Sequence, residues 1–165
     1  MALTAVAGPI TNVLLAFLAC FLYLLAVSLY GSVAEIFAPR SLGFRIYLTL
    51  IDFLAIFHTL NLSFAVFNLL PISPLDGSRL LYLFLPRRAH RWFVEHERVI
   101  YFGVLAWLFL GDRFYQLLLR LQPIATSPAL SALASIFSPA VWLSRIIQPL
   151  SSLMVRFWTL LPFLA

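Results

Sequence analysis

The chain has 165 residues, of which 63% are hydrophobic and only 10% charged, with a mean hydropathy of +1.01. A soluble domain carries about 25% charged residues, so this composition excludes an ordinary water-soluble enzyme and defines an integral membrane protein. The net charge of +5 comes from 11 arginines, with no lysine. They are spread over loops and segment ends without an interleaved aromatic run, which marks membrane topology and excludes a nucleic-acid surface.

Taken in chain order, the first apolar run is Val13 to Tyr30, free of charge and close to the ~20 residues that span a bilayer. Gly8-Pro9 is expected at its start, where a missing N–H costs least, with Asn12 in the first turns. Residues 1–12 hold no positive charge, so a signal peptide is not expected. Cys20 stands alone in the run, and a disulfide framework is therefore absent. Gly31 to Arg45, with Glu35, Pro39 and Arg40, reads as an extramembrane loop.

Ile46 to Leu70 is a second spanning run with polar residues in it. At 100° per residue, His58, Asn61 and Asn68 fall within about 80° of one another. Asp52, Thr59 and Ser63 make a second stripe on another side, so this helix is expected to be touched by protein on more than one side. His58 reads as an interhelical hydrogen-bond group. It lies ~18 Å along the axis from Leu70, too far to share a metal with anything at the helix end.

The run breaks at Asn68-Leu69-Leu70-Pro71-Ile72-Ser73-Pro74-Leu75-Asp76-Gly77. Pro71 and Pro74 remove backbone donors and stop the helix. Irregular backbone at membrane depth is tolerated only where it is buried in protein or lines a wet cavity, and Asp76 there demands a cation, a proton or another partner. Two plain roles fit it. Ser73, Pro74 and Asp76 match the N-cap, first turn and acidic position of a helix start, and Arg79 stands at i+3 for an ion pair.

Leu75 to Leu85 is too short to span. From Arg87 to Arg98 the chain is polar, and His90 and His96 read as surface loop residues. The segment from Pro71 to Arg98 holds five arginines against two in Gly31–Arg45. The positive-inside rule therefore expects the 71–98 linker in the cytoplasm, with Asn12 and Asp76 toward one membrane face. Val99 to Leu121 makes a third span only if it includes Asp112-Arg113. Beyond it, Pro123, Pro128, Pro139, Pro149 and Pro162 punctuate an apolar tail. Short helices on or dipping into the membrane, with Arg145 and Arg156 snorkelling outward, are expected there; one kinked span is the alternative.

The segment Asn68–Gly77 resembles the site-2 protease family of intramembrane zinc metalloproteases, peptidase family M50, which carries an N-x-x-P-x-x-P-L-D-G pattern. A second family motif, G-P-x-x-N, stands at Gly8-Pro9-Ile10-Thr11-Asn12. The resemblance covers roughly residues 1–105, and Met1 falls where the family's chains are already under way. It implies that Asp76 is the third protein ligand of a zinc ion, and that Asn68 and Asn12 lie at the site to bind substrate or a developing oxyanion. It also implies substrates that are membrane-spanning segments of other proteins.

The family's H-E-x-x-H is absent. No two of His58, His90 and His96 are four apart, and His96-Glu97-Arg98-Val99-Ile100 ends in isoleucine. This chain alone is therefore not expected to hold zinc. Sequence reasoning thus expects an all-α polytopic transmembrane bundle with a Pro-broken re-entrant or interfacial segment. It divides into a membrane core, 1–121, with helices at about 13–30, 46–70, 75–85 and 99–121, and a tail, 122–165. Its setting is the lipid bilayer of a bacterial-type cell membrane, with no nucleic-acid partner. Three readings stand: the C-terminal half of a site-2-type protease, a pseudoprotease scaffold that binds membrane proteins, or a small ion-coupled transport subunit.

Overall fold

The computed structural model describes residues 2–70, 72, 75–121, 124, 126–162 and 164, with the backbone alone for 2–5 and 80. The described residues form helices and no strand. In order these are α1 (Ala2–Ser28), α2 (Tyr30–Ile36), α3 (Leu42–Asn68), α4 (Asp76–Phe84), α5 (Arg87–Glu95), α6 (Glu97–Leu119), α7 (Pro128–Ala134), a 3₁₀ turn (Ser135–Phe137) and α8 (Pro139–Trp158). Three of them are long and apolar enough to cross a membrane: Val6–Ser28 of α1, α3 and α6. Pro128–Phe137 and Pro139–Trp158, bent by 99°, make a fourth if the pair is one broken span. Large side chains such as Ile36, Phe102 and Phe109 stand mostly exposed, as they do where lipid rather than water is the solvent.

Two expected boundaries move. Helix α1 does not start at Gly8-Pro9; Pro9 lies inside it. The missing N–H removes one ladder bond, but Ala, Leu and Val before it continue the helix, and spanning helices absorb such a loss. The Thr11 hydroxyl donates to the Ala7 carbonyl at 2.8 Å beside the proline. The Gly31–Arg45 loop is shorter than its composition implies, because α2 occupies Tyr30–Ile36 and α3 already begins at Leu42. Phe37 closes the turn over Gly43, where an added Cβ would meet its ring at 2.7 Å.

The chain falls into two compact units, Ala7–Ala65 with Ile147–Ala165, and Met1–Val6 with Val66–Ile146, so the Pro-punctuated tail contributes to both. In the first of these, α1 presents Ala16, Ala19, Cys20 and Ala26, all buried. Small residues at this helical spacing let backbones approach closely, which is how helices pack in lipid. Facing residues come from α3, where Leu54, His58, Asn61, Leu62 and Ala65 are buried at i, i+4, i+7, i+8 and i+11. The end of α8 closes against α1: the Trp158 indole donates to the Phe17 carbonyl at 3.1 Å, its ring 4.6 Å from Phe17 and 4.7 Å from Phe21. Tyr47 donates its hydroxyl to the Ala26 carbonyl.

The second polar stripe of α3 is covered only in part, with Thr59 lining a cavity beside Ser151 and Val155 of α8. Asp52 and Thr59 are exposed among the described residues. Thr59 and Ser63 turn their hydroxyls back onto their own helix, to the carbonyls of Ala55 at 3.0 Å and Thr59 at 2.7 Å. Protein thus reaches α3 from α1 and from α8, through His58 and beside Thr59, while Asp52 stays exposed.

In the other unit, α6 receives the bend before α8. A Cβ at Gly111 would strike the Phe137 carbonyl oxygen and come within 2.9 Å of Pro139, so only glycine lets the bend sit this close. The neighbouring Asp112 carboxylate accepts the Ser138 hydroxyl, and the Ser138 oxygen in turn caps the Val141 amide at 3.1 Å. This gives the acid inside α6 its partner. Arg145 donates to the Ser135 hydroxyl at 2.8 Å, and the rings of Phe114 and Phe137 meet edge-on at 5.0 Å.

Candidate functional site

Asn68 is the last residue of α3 and Asp76 the first of α4, so the two candidate residues flank a single turn; both side chains are half-buried. Pro71, Ser73 and Pro74 of that turn lie outside the described residues. The last turn of α3 tightens, with Leu69 N–H on the Val66 carbonyl at 3.2 Å and Leu70 N–H on Phe67 at 3.0 Å. The chain then closes on itself through Ile72 N–H to Leu70 at 2.8 Å and Leu75 N–H to Ile72 at 2.8 Å.

Helix α4 starts with Leu75 in the cap position, extended and without a side-chain cap. Ser73, which its spacing puts forward as the N-cap, lies outside the described residues. Ser78, buried, donates to the Leu75 carbonyl at 2.7 Å and pins the first turn. An added Cβ at Gly77 would run into the carbonyl groups of Leu69 and Leu70. The start of α4 thus folds back onto the end of α3, and the glycine after Asp76 is what permits it. Sequence reasoning placed Gly77 in a motif without giving it this task; its signal was the glycine directly after the acid.

Asp76 sits at the positive end of the α4 dipole, where a carboxylate is favoured. The ion pair with Arg79 is not formed, and Arg79 is exposed. Asn12 belongs to the other unit, half-buried on α1.

A hydrolytic zinc needs three protein ligands and an open position. Among the described residues, no group of three or more His, Cys, Asp or Glu side chains converges. Each histidine is also engaged. His58 Nδ1 donates to the Ala16 carbonyl at 2.8 Å, and Nε2 meets the Ser151 hydroxyl at 2.9 Å. His90 stacks on Tyr82 with centroids 4.8 Å apart. His96 Nδ1 donates to the Trp92 carbonyl at 2.8 Å and stacks on the Trp92 ring at 4.6 Å. His90 lies in helix α5 rather than in the loop expected, whereas His96 is the turn residue joining α5 to α6. The donor set of the described residues does not by itself fit a zinc ion: Asp76 supplies one carboxylate, and none of these residues completes the set.

Beside His58 is a cavity of about 200 Å³ lined by Cys20, Tyr23, Ala55, His58, Thr59, Ser151 and Val155. A larger apolar groove of about 580 Å³ lies among Phe17, Leu153, Met154, Arg156, Phe157 and Leu160. Its lining includes none of Asn12, Asn68 or Asp76.

The sequence profile described as Peptidase family M50 matches residues 1–111. The chain belongs to peptidase family M50. Among curated proteins it is 42% identical over 79 residues to "Putative zinc metalloprotease YwhC" of Bacillus subtilis (strain 168). That alignment covers 48% of this chain and 32% of the relative, so the chain spans about a third of the relative's length. No solved structure matches the chain significantly. An M50 member with several spanning helices is an integral, multi-pass membrane protein.

Proposed function

We propose that this chain is the part of a site-2-type intramembrane protease that carries the third metal-ligand position, Asp76, and two substrate-contacting amides, Asn68 and Asn12. The observation that supports it most is the turn itself. A carboxylate and an amide flank one break in a membrane helix, and the glycine beside the acid is sterically required where a family motif has it. Asp76 would be one ligand of three. The two imidazoles that a zinc ion also needs would come from an H-E-x-x-H helix that this sequence does not contain. Asn68 and Asn12 would hold the scissile carbonyl of a membrane-spanning protein substrate. The setting proposed is a bacterial-type cell membrane.

A second reading, a pseudoprotease that binds membrane proteins without cutting them, is favoured by one fact: no two histidines are four apart. One experiment separates the two. The coding sequence in frame before Met1 is read, and the whole protein is expressed, assayed for zinc and tested on a membrane-spanning substrate. The protease reading expects an apolar H-E-x-x-H helix, bound zinc and cleavage. Asp76→Ala should then remove both zinc and cleavage. Asn68→Ala should slow cleavage by about 2–4 kcal/mol, as for an oxyanion donor, with zinc retained. Cleavage that survives Asp76→Ala, or the lack of any such helix, sinks the protease reading and leaves the scaffold. This sequence alone, purified in detergent, should not hold stoichiometric zinc, since one carboxylate is a weak and unselective ligand.

A further inference from the structure

We propose that the exposed basic face of α5 is a docking surface for the phosphates of anionic phospholipids. Connectivity sets the level of this helix. The spans α3 and α6 end at Asn68 and begin at Glu97, so the chain between them leaves and re-enters the membrane on one side. Only His96 separates α5 from α6, which holds α5 at headgroup height. Its nine residues extend ~14 Å, far too short to span.

Charge and shape then name the partner. At 100° per residue, Arg87, Arg88 and Arg91 project within an arc of about 100°. All three are exposed, and no carboxylate pairs with them among the described residues. Glu95 is the single acid on that arc. The opposite side, Ala89 and Phe93, is half-buried. Planar guanidinium groups match phosphate oxygens two at a time. Apolar side chains on α5 and at the end of α4 are exposed as well: Trp92 at 51%, Leu83 at 61% and Phe84 at 86%. The Trp92 ring is held in place by the stacked His96. An acidic protein segment would satisfy the arginines and leave these rings in water. A lipid surface satisfies both, taking the rings at the acyl boundary and the cations among headgroups.

The test uses the full chain in nanodiscs with brominated acyl chains and a fluorophore at Val94→Cys, Cys20 being buried. Adding phosphatidylglycerol to phosphatidylcholine should deepen the quenching. Raising salt should reverse it, since the Debye length falls from about 10 Å at 0.1 M to 3 Å at 1 M. Arg87→Gln, Arg88→Gln and Arg91→Gln should each weaken the apparent phosphatidylglycerol affinity roughly fivefold, and the triple variant should lose the response. Glu95→Gln should strengthen it, a change that misfolding would not produce. The proposal is overturned if quenching ignores phosphatidylglycerol, or if the triple variant responds as the parent does. It is equally overturned if poly-glutamate, added to phosphatidylcholine nanodiscs, shifts the label while phosphatidylglycerol does not; an acidic protein would then be the partner.

Discussion

His58 Nδ1 lies 2.8 Å from the carbonyl oxygen of Ala16, 42 residues earlier in the chain. A carbonyl only accepts, so Nδ1 carries the proton, and in the neutral ring Nε2 accepts from the Ser151 hydroxyl at 2.9 Å. One imidazole thus joins α1, α3 and α8. Lipid tails give helices no hydrophobic reason to associate, so small-residue packing and bonds of this kind hold them together.

Replacing His58 by alanine removes both bonds and enlarges the adjoining cavity. Each interhelical bond in a membrane contributes about 0.6 kcal/mol, up to ~1.7, so a loss of about 1–3 kcal/mol is expected. Ser151→Ala removes one bond and should cost less than His58→Ala. Unfolding of the purified chain in bicelles, followed by circular dichroism, measures both. Equal stability of the parent and His58→Ala would show that the imidazole holds nothing.

Gly77→Ala should be among the most damaging small changes in the chain. The added methyl meets backbone carbonyls of Leu69 and Leu70, which cannot move aside as a side chain would. Overpacking of this sort costs typically 1–3 kcal/mol, and it would shift Asp76 with the first turn of α4. Limited proteolysis of the 69–76 turn should speed up in the variant. Unchanged cleavage there would mean the turn has room to spare.

Asp52 predicts the opposite sign. It is exposed on a spanning helix and has no partner among the described residues. A carboxylate near the centre of a membrane helix costs about 2.5–3.5 kcal/mol on insertion scales. Asp52→Leu should therefore stabilise this chain in a bilayer. A fall in stability would reveal a contact to Asp52 that the chain's own helices do not supply.

The arginine asymmetry predicts topology, five in Pro71–Arg98 against two in Gly31–Arg45. Single cysteines at Ser41 and His90, labelled by an impermeant reagent from outside intact cells, read it directly. Labelling at 41 alone is expected, and labelling at 90 alone would reverse the orientation.

Hydropathy and spacing along the chain were enough for the spanning runs of α1, α3 and α6, the break after Asn68, and the missing histidine pair. These are properties of neighbouring residues, and a bilayer tests each apolar run by its own length. Composition was a poorer guide where local polarity competes with helix formation. The polar stretch from Arg87 read as loop, yet α5 forms there, because arginine, alanine, tryptophan and glutamate are all compatible with a helix. Likewise Pro9 read as a boundary, yet the helix runs through it.

The three-dimensional arrangement decided what distant residues do to one another. His58 found Ser151, 93 positions away, as its second partner. Asp112, an isolated acid in a span, acquired the Ser138 hydroxyl at the bend before α8, and Gly111 and Gly77 became necessary only where another stretch of backbone came too close for a Cβ. A sequence shows which residue can donate, accept or yield space. Which group occupies that space is set when helices pack, because only then do atoms far apart along the chain compete for the same few ångströms.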